Sequence, residues 1–189
     1  MMRKNSLAHR GILRRAHRSK GAFMLVGIIS DTHGHLPRAA YFELADCDHI
    51  IHAGDIGGIE ILEELRTLAP VTAVLGNNDI PEYGDSVGRY AAETIGGVRF
   101  LITHTPSGLQ RALSGRTSAL APGDPAPWVA VHGHTHVPRI EHGAEAFPAR
   151  MLVCPGSPVH PRGGSMPCVA KLAIEDGAVR DARIVELRL

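Results

Sequence analysis

Apolar and polar positions change period several times along the chain, and those changes mark out its elements. Residues 24–30 are an apolar run closed by Ser30, well suited to a buried first strand. Residues 36–45 can form a helix with Pro37 in its first turn, where a missing N–H is harmless. A short strand over 49–52 follows, then an amphipathic helix over 58–68 with Ile59, Leu62, Leu65 and Leu68 at three-residue spacing, then a third strand over 71–75. This βαβαβ order predicts a right-handed parallel sheet whose strand ends open towards one rim. The second half is richer in strands. Residues 90–95 and 98–103 flank Gly96-Gly97, a two-residue hairpin turn, and residues 128–132, 151–154, 168–175 and 179–187 complete the set. Asp176-Gly177 joins the last two, residues 107–113 read as a helix, and the Pro- and Gly-rich stretch 114–127 reads as a surface loop. The expected fold class is α/β: a four-layer α-β-β-α sandwich of two mixed sheets packed face to face.

Composition narrows the picture. The chain has 189 residues, 44% of them hydrophobic and 21% charged, which is enough for one sizeable core, and no internal repeat is visible. No apolar stretch approaches the roughly 20 residues of a membrane-spanning helix. Cys47, Cys154 and Cys168 are widely spaced, so neither a disulfide framework nor a thiolate zinc site is indicated, and the cytoplasm is the natural location. The net charge of +1 hides an asymmetry: Arg3, Lys4, Arg10, Arg14, Arg15, Arg18 and Lys20 are unopposed by any acid, and without these seven the remainder carries −6. Residues 1–23 are read as a basic leader, a disordered tail or a misplaced start, ahead of a single domain over 24–189. A transit peptide or a nucleic-acid-binding arm is the lesser alternative. The acidic core, lacking a basic stripe, argues against a nucleic-acid substrate, and a homo-oligomer is compatible with the sequence.

Metal-type side chains fall at the ends of the predicted strands: Asp31-Thr32-His33, Gly54-Asp55, Gly76-Asn77-Asn78-Asp79, Thr103-His104 and Gly133-His134-Thr135-His136. Singly, each is ordinary turn or capping chemistry. Jointly they bring imidazole, carboxylate and amide ligands to one rim, the donor set of divalent transition metals. Seven of them, Asp31, His33, Asp55, Asn77, His104, His134 and His136, read as one dinuclear site.

The order Asp-x-His, Gly-Asp, Gly-Asn-x-Asp, strand-end His, Gly-His-x-His resembles the calcineurin-like metallophosphoesterase superfamily, and within it the small YfcE-type phosphodiesterases related to Vps29. Ser30-Asp31-Thr32-His33-Gly34, His52-Ala53-Gly54-Asp55 and Gly133-His134-Thr135-His136-Val137-Pro138 carry the resemblance, with Pro155-Gly156-Ser157-Pro158 and Pro161-Arg162-Gly163-Gly164 similar to that subgroup's late loop. It implies that Asp31, His33, Asp55 and His136 hold one metal ion, and that Asp55, Asn77, His104 and His134 hold the other, with Asp55 bridging. It also implies manganese for activity, although the ligands alone admit iron, nickel or zinc. His33 and His136 would each need an acceptor to fix the tautomer.

Two cations so held can make hydroxide from a bridging water near neutral pH, so no covalent enzyme intermediate is needed. The implied function is metal-dependent hydrolysis of small phosphodiesters, plausibly nucleotide-derived. A phosphomonoesterase is the rival within enzymes, and a non-catalytic Vps29-like binding platform is the rival from another class. Where many relatives carry His after Gly-Asn, this chain has Asn78, which can donate to a phosphoryl oxygen but cannot shuttle a proton near pH 7. Good leaving groups should therefore be preferred. Arg162 is a second candidate phosphate contact, and Thr105-Pro106 departs from the Gly that often follows the strand-end His.

Overall fold

The computed structural model describes residues 23–80 and 83–188; the basic leader, apart from Phe23, lies outside them. The elements run β1 (Phe23–Ile29), α1 (Arg38–Leu44), β2 (His49–His52), α2 (Ile59–Arg66), β3 (Val71–Ala73), β4 (Tyr90–Ile95), β5 (Val98–Thr103), α3 (Pro106–Leu113), β6 (Val129–Val131), β7 (Arg139–His142), β8 (Met151–Cys154), β9 (Cys168–Glu175) and β10 (Ala178–Glu186). They form two five-stranded sheets, ordered β10-β9-β1-β2-β3 and β4-β5-β6-β8-β7. Both are mixed. The β1-β2-β3 and β5-β6-β8 strands are parallel, whereas β9, β10, β4 and β7 join antiparallel.

Side-chain alternation along each strand builds the layers. Val26 and Ile28 of β1 face Phe100 and Ile102 of β5 and Val129 and Val131 of β6 across the space between the sheets. Ile29 turns the other way, onto Leu44 of α1 and Leu62 and Leu65 of α2. Leu101 and Ala130 face out from the second sheet onto Leu109 and Ala112 of α3. The expected α-β-β-α sandwich is the observed one. Gly27 permits the close seating of the chain after β1: a Cβ there would lie 2.5 Å from Leu44 Cδ2 and 2.9 Å from Cys47 Sγ. On the same face the buried Lys171 of β9 reaches out between layers to Glu43 (2.7 Å) and Asp46 (2.8 Å), so its ammonium leaves water with two partners.

Several element ends differ from the sequence expectation by one or two residues, and one strand is additional. Pro37 sits at the N-cap of α1 rather than within its first turn, and α2 stops at Arg66, where Thr67 takes over the cap by bonding back to Glu64. Strand β7 was not anticipated. Its Arg-Ile-Glu-His sequence offers one apolar residue, which suffices only because it is an edge strand paired on one side.

A candidate metal centre at the strand ends

All seven expected ligands lie beyond the C-terminal ends of β1, β2, β3, β5 and β6, the ends that parallel pairing brings to a common rim. The backbone there is unusual. Six non-glycine residues among those described have positive φ, and five are expected ligands: Asp31 (57°), His33 (46°), Asp55 (52°), His134 (69°) and His136 (59°). A non-glycine residue in this left-handed region costs on the order of 1 kcal/mol, so five in one site point to an imposed geometry rather than to ordinary turns. Gly133 makes the approach of the β6 loop workable, because a Cβ there would overlap Ser30 Oγ and stand 2.8 Å from Asp31 Oδ2.

The side chains converge on two buried carboxylates. Asp31 Oδ1 lies 3.1 Å from His136 Nε2 and 3.8 Å from His104 Nε2. Asp55 Oδ2 lies 3.4 Å from His104 Nε2 and 4.0 Å from His33 Nε2. The Nε2 atoms of His33 and His136 are 3.4 Å apart. Two groups therefore have ligand atoms close enough to share an ion, Asp31-His33-His136 and Asp31-Asp55-His104. His134 stacks edge-on against His104, ring centroids 5.2 Å apart, and its Nδ1 meets Asn77 Oδ1 at 2.8 Å on the exposed lip. Asp31 thus stands between the groups as much as Asp55, the residue expected to bridge.

Outer partners fix how two of the expected ligands point. His104 Nδ1 donates to Ala53 O (2.8 Å) and His136 Nδ1 donates to His160 O (2.6 Å), which leaves each Nε2 with its lone pair facing the carboxylates. The late loop supplies that second carbonyl and is itself clipped in place, with Ser157 Oγ donating to Asp31 O at 2.9 Å and accepting from His160 N at 2.9 Å. Asp79 had no role assigned from sequence, yet it ties two loops together by accepting from the backbone N–H groups of Ile56 (2.9 Å), Gly57 (3.1 Å) and Gly76 (2.8 Å). An acid following Gly-Asn-Asn is the signal that could have flagged it, since Asp side chains commonly bond nearby backbone.

Asn78 is aimed at Asp55 rather than into open space: its side-chain amide donates to Asp55 Oδ2 (2.6 Å) and its backbone N–H to Oδ1 (2.9 Å). Burial opposes ionisation of Asp55, but His104 and the two donations from Asn78 outweigh it and hold the carboxyl well below its ordinary range. Burial likewise opposes a charged His104, and the neighbouring Asp55 and Asp31 overcome it, raising that imidazole above the ordinary histidine value, so without a cation the carboxylates favour a proton on Nε2, the atom whose lone pair a metal ion would use. For His33 burial prevails over the same two carboxylates and the value falls. Arg162 is exposed, and its backbone N–H donates to His136 O at 3.1 Å, so its place in the site is as a neighbour of the His136 loop.

Two atoms test whether metal ions fit. Asp31 Oδ1 and His104 Nε2 are buried without a hydrogen-bond partner, a state that costs about 1–3 kcal/mol per group unless something satisfies it. Lone pairs on imidazole nitrogens face carboxylate oxygens, so the cluster needs positive charge among its donors, and the mixed nitrogen and oxygen set suits divalent transition metals.

The sequence profile of the calcineurin-like phosphoesterase superfamily domain matches residues 24–177. The chain belongs to that superfamily. A probable metallophosphoesterase of Methanothermobacter thermautotrophicus is 38% identical to this chain over 170 residues, covering 86% of this chain and 92% of that one. An archaeal phosphodiesterase of known structure aligns with a TM-score of 0.65 and 26% identity, over 86% of this chain and 100% of its own. At lower identity the fold is shared with the E. coli phosphoesterase YfcE (TM-score 0.57, 22% identical, 87% of this chain and 100% of that one). It is shared too with a single mutant of Entamoeba histolytica Vps29 (TM-score 0.59, 20% identical, 87% and 100%).

Proposed function

We propose that this phosphoesterase is a metal-dependent phosphodiesterase acting on small phosphodiesters, nucleotide-derived ones among them, with residues 24–189 as one catalytic unit. The observation that carries the reading is the pair of buried, unpartnered atoms, Asp31 Oδ1 and His104 Nε2, at the centre of a ligand set held in strained backbone. Asp31, His33, Asp55 and His136 would hold one ion, and Asp55, Asn77, His104 and His134 the other, manganese being the metal of choice. When bound, such a pair supplies Lewis acidity and hydroxide at neutral pH. The chain's own contribution is preorganisation. Asn78 keeps Asp55 ionised and oriented, the carbonyls of Ala53 and His160 hold His104 and His136 in the ligating tautomer, and Asp79 and Ser157 lock the loops that carry them.

The exposed lip at His134, Asn77 and Asn78 leaves room for a phosphate ester to approach. No helix among the described residues is long and apolar enough to cross a membrane, and the three cysteines are free and buried; both agree with a cytoplasmic location. The test is turnover of bis(p-nitrophenyl) phosphate beside p-nitrophenyl phosphate by metal-stripped protein re-supplied with manganese. Manganese-dependent cleavage favouring the diester is expected. Preference for the monoester would move the assignment to a phosphatase, and no turnover of either despite bound metal would favour a binding platform of the Vps29 kind.

A further inference from the structure

Beside the metal centre, a polar cavity of about 340 Å³ opens between the first turns of α3, the approach to β4 and the loop after β3. His104 and Asn77, two of the expected ligands, form part of its wall, so whatever fills it touches the reacting site. The rest of the wall is neutral apart from two arginines. Arg89 enters from the residue before β4, and its backbone is pinned by Thr103 Oγ1, which donates to Arg89 O at 3.0 Å. Ser107 and Arg111 enter from α3, four residues apart and therefore on one face of the helix. No acidic side chain lines the cavity among the described residues.

Both arginines are uncommitted. Arg99, Arg139 and Arg183 lie within 2.9 Å of Asp124, Glu141 and Asp181 respectively, whereas among the described residues neither Arg89 nor Arg111 has an acid within 4.0 Å. Two arginines without an acidic partner lining one cavity, with Ser107 and the N-terminal turn of α3 on the same wall, form a receptor for a multiply charged oxyanion. The cavity lies within the roughly 300–1,000 Å³ typical of small-molecule sites, large enough for a phosphate and the sugar that bears it.

We propose that this cavity is a subsite for a second, non-scissile phosphate group of the substrate, bound by Arg89 and Arg111. The proposal rests on the phosphodiesterase reading and narrows it to diesters that carry a further phosphate near the scissile one. The two would be separated by a short spacer such as a ribose, because His104 and Asn77 border both sites.

Thymidine 5'-(p-nitrophenyl phosphate) and its 3'-phosphorylated form test this, since both release p-nitrophenolate and differ only in the extra phosphate. The 3'-phosphorylated substrate should have kcat/KM at least about tenfold higher, through KM, as charge-assisted hydrogen bonds of this kind shift affinity by roughly ten- to a hundredfold. Arg89→Ala and Arg111→Ala should each cut that ratio severalfold, the double variant should bring it near one, and the lysine variants should retain part of it. Arg66→Ala, on α2 at the far side of the first sheet, should leave the ratio as it is. A ratio near one in the wild type, or an unchanged ratio in the double variant, would overturn the subsite. If neither diester is cleaved with any metal, the phosphodiesterase reading fails separately. Calorimetry with thymidine 3',5'-bisphosphate against thymidine 5'-phosphate then decides the subsite: tighter binding of the bisphosphate, lost in the double variant, supports it, and equal binding overturns it.

Discussion

Replacing His52 with asparagine should make the protein's stability less sensitive to acid. His52 closes β2 and is fully buried. Its Nδ1 accepts from Gly54 N–H at 3.2 Å, so the ring proton resides on Nε2 and is donated to Thr32 Oγ1 at 2.9 Å. That hydroxyl passes its own proton to Ile56 O at 2.8 Å, and the neutral ring thereby braces the two loops that present Asp31 and Asp55. A second proton would have to sit on the atom that already accepts from Gly54. Burial is the main force that drives the imidazole pKa down to about 3; Asp79 and Asp55 pull the other way, and His104 and His33 add to the fall.

In the unfolded chain the same side chain titrates near 6.5. Between those values the unfolded state binds more protons, so stability rises with pH across that window. The full contribution is present above about pH 6.5 and is lost progressively as the pH falls towards 3. At pH 5 the loss from this one group is about 1.5 units at 1.36 kcal/mol each, or about 2 kcal/mol. Asparagine keeps an acceptor where Nδ1 was but cannot titrate and cannot reach Thr32, so the variant should be less stable by about 1–3 kcal/mol at neutral pH. Urea denaturation in EDTA, followed by circular dichroism near pH 7.5 and again near pH 5, separates the two effects. The wild type should lose about 2 kcal/mol more than His52→Asn between these conditions. His33, His49 and His132 also have lowered pKa values through burial, but they are common to both proteins and cancel. Parallel losses, within about 0.5 kcal/mol, would refute the argument.

Asp79→Ala should weaken manganese binding by roughly ten- to a hundredfold in calorimetry, because it frees the backbone of the loops that carry Asp55 and Asn77; unchanged affinity would remove Asp79 from the site's support. Gly27→Ala should destabilise the protein by about 1–3 kcal/mol in the same urea assay, since Leu44 and Cys47 must move aside, and a neutral result would contradict the close seating. Lys171→Met should be close to neutral, while the double change Glu43→Gln with Asp46→Asn should cost about 1–2 kcal/mol, less than a wholly buried pair because both carboxylates are partly exposed; a neutral double variant would show that the ion pairs do not hold the lysine. Asn78→His exchanges the amide that donates to Asp55 for a group able to protonate a leaving group, so the ratio of alkyl- to aryl-diester turnover should rise even where both rates fall, and an unchanged ratio would count against the absence of a general acid.

That the seven candidate ligands gather at one rim is legible in the chain because each sits where a hydrophobic run breaks at a Gly, Asp or His, and strand ends are where parallel sheets gather chemistry. His49 to His52 and Val98 to Thr103 were legible to the residue for the same reason: short apolar runs with sharp polar edges. What could not be read is everything carried by backbone. The carbonyls of Ala53 and His160 set two histidine tautomers, yet no pattern of side chains announces a carbonyl, and His160 lies 24 residues from the His136 ring it orients. Asn78 reads as facing substrate because its neighbours are candidate ligands. In the structure its amide donates to Asp55 at 2.6 Å, since a buried carboxylate demands donors, and no sequence pattern announces that pairing. Strand β7 was missed because its pairing with β8, rather than its composition, makes it a strand.

Strain at the rim links the fold to the function. Asp31, His33, Asp55, His134 and His136 together represent on the order of 5 kcal/mol of unfavourable backbone, comparable with the whole net stability of a small domain. Such a conformation persists only where surrounding contacts over-determine it. Here Asp79 binds the backbone of residues 56, 57 and 76, Ser157 binds the carbonyl of Asp31, and the His52–Thr32 pair joins the first two loops. Those contacts hold the Asp31 and Asp55 carboxylates near imidazole lone pairs, an arrangement that is repulsive until positive charge enters. A ligand that binds the folded state alone stabilises it by mass action, so the metal ions that this site fits would also relieve the electrostatic cost of having built it. Preorganisation of the proposed metal centre and strain in the metal-free rim are thus two consequences of the same five backbone conformations.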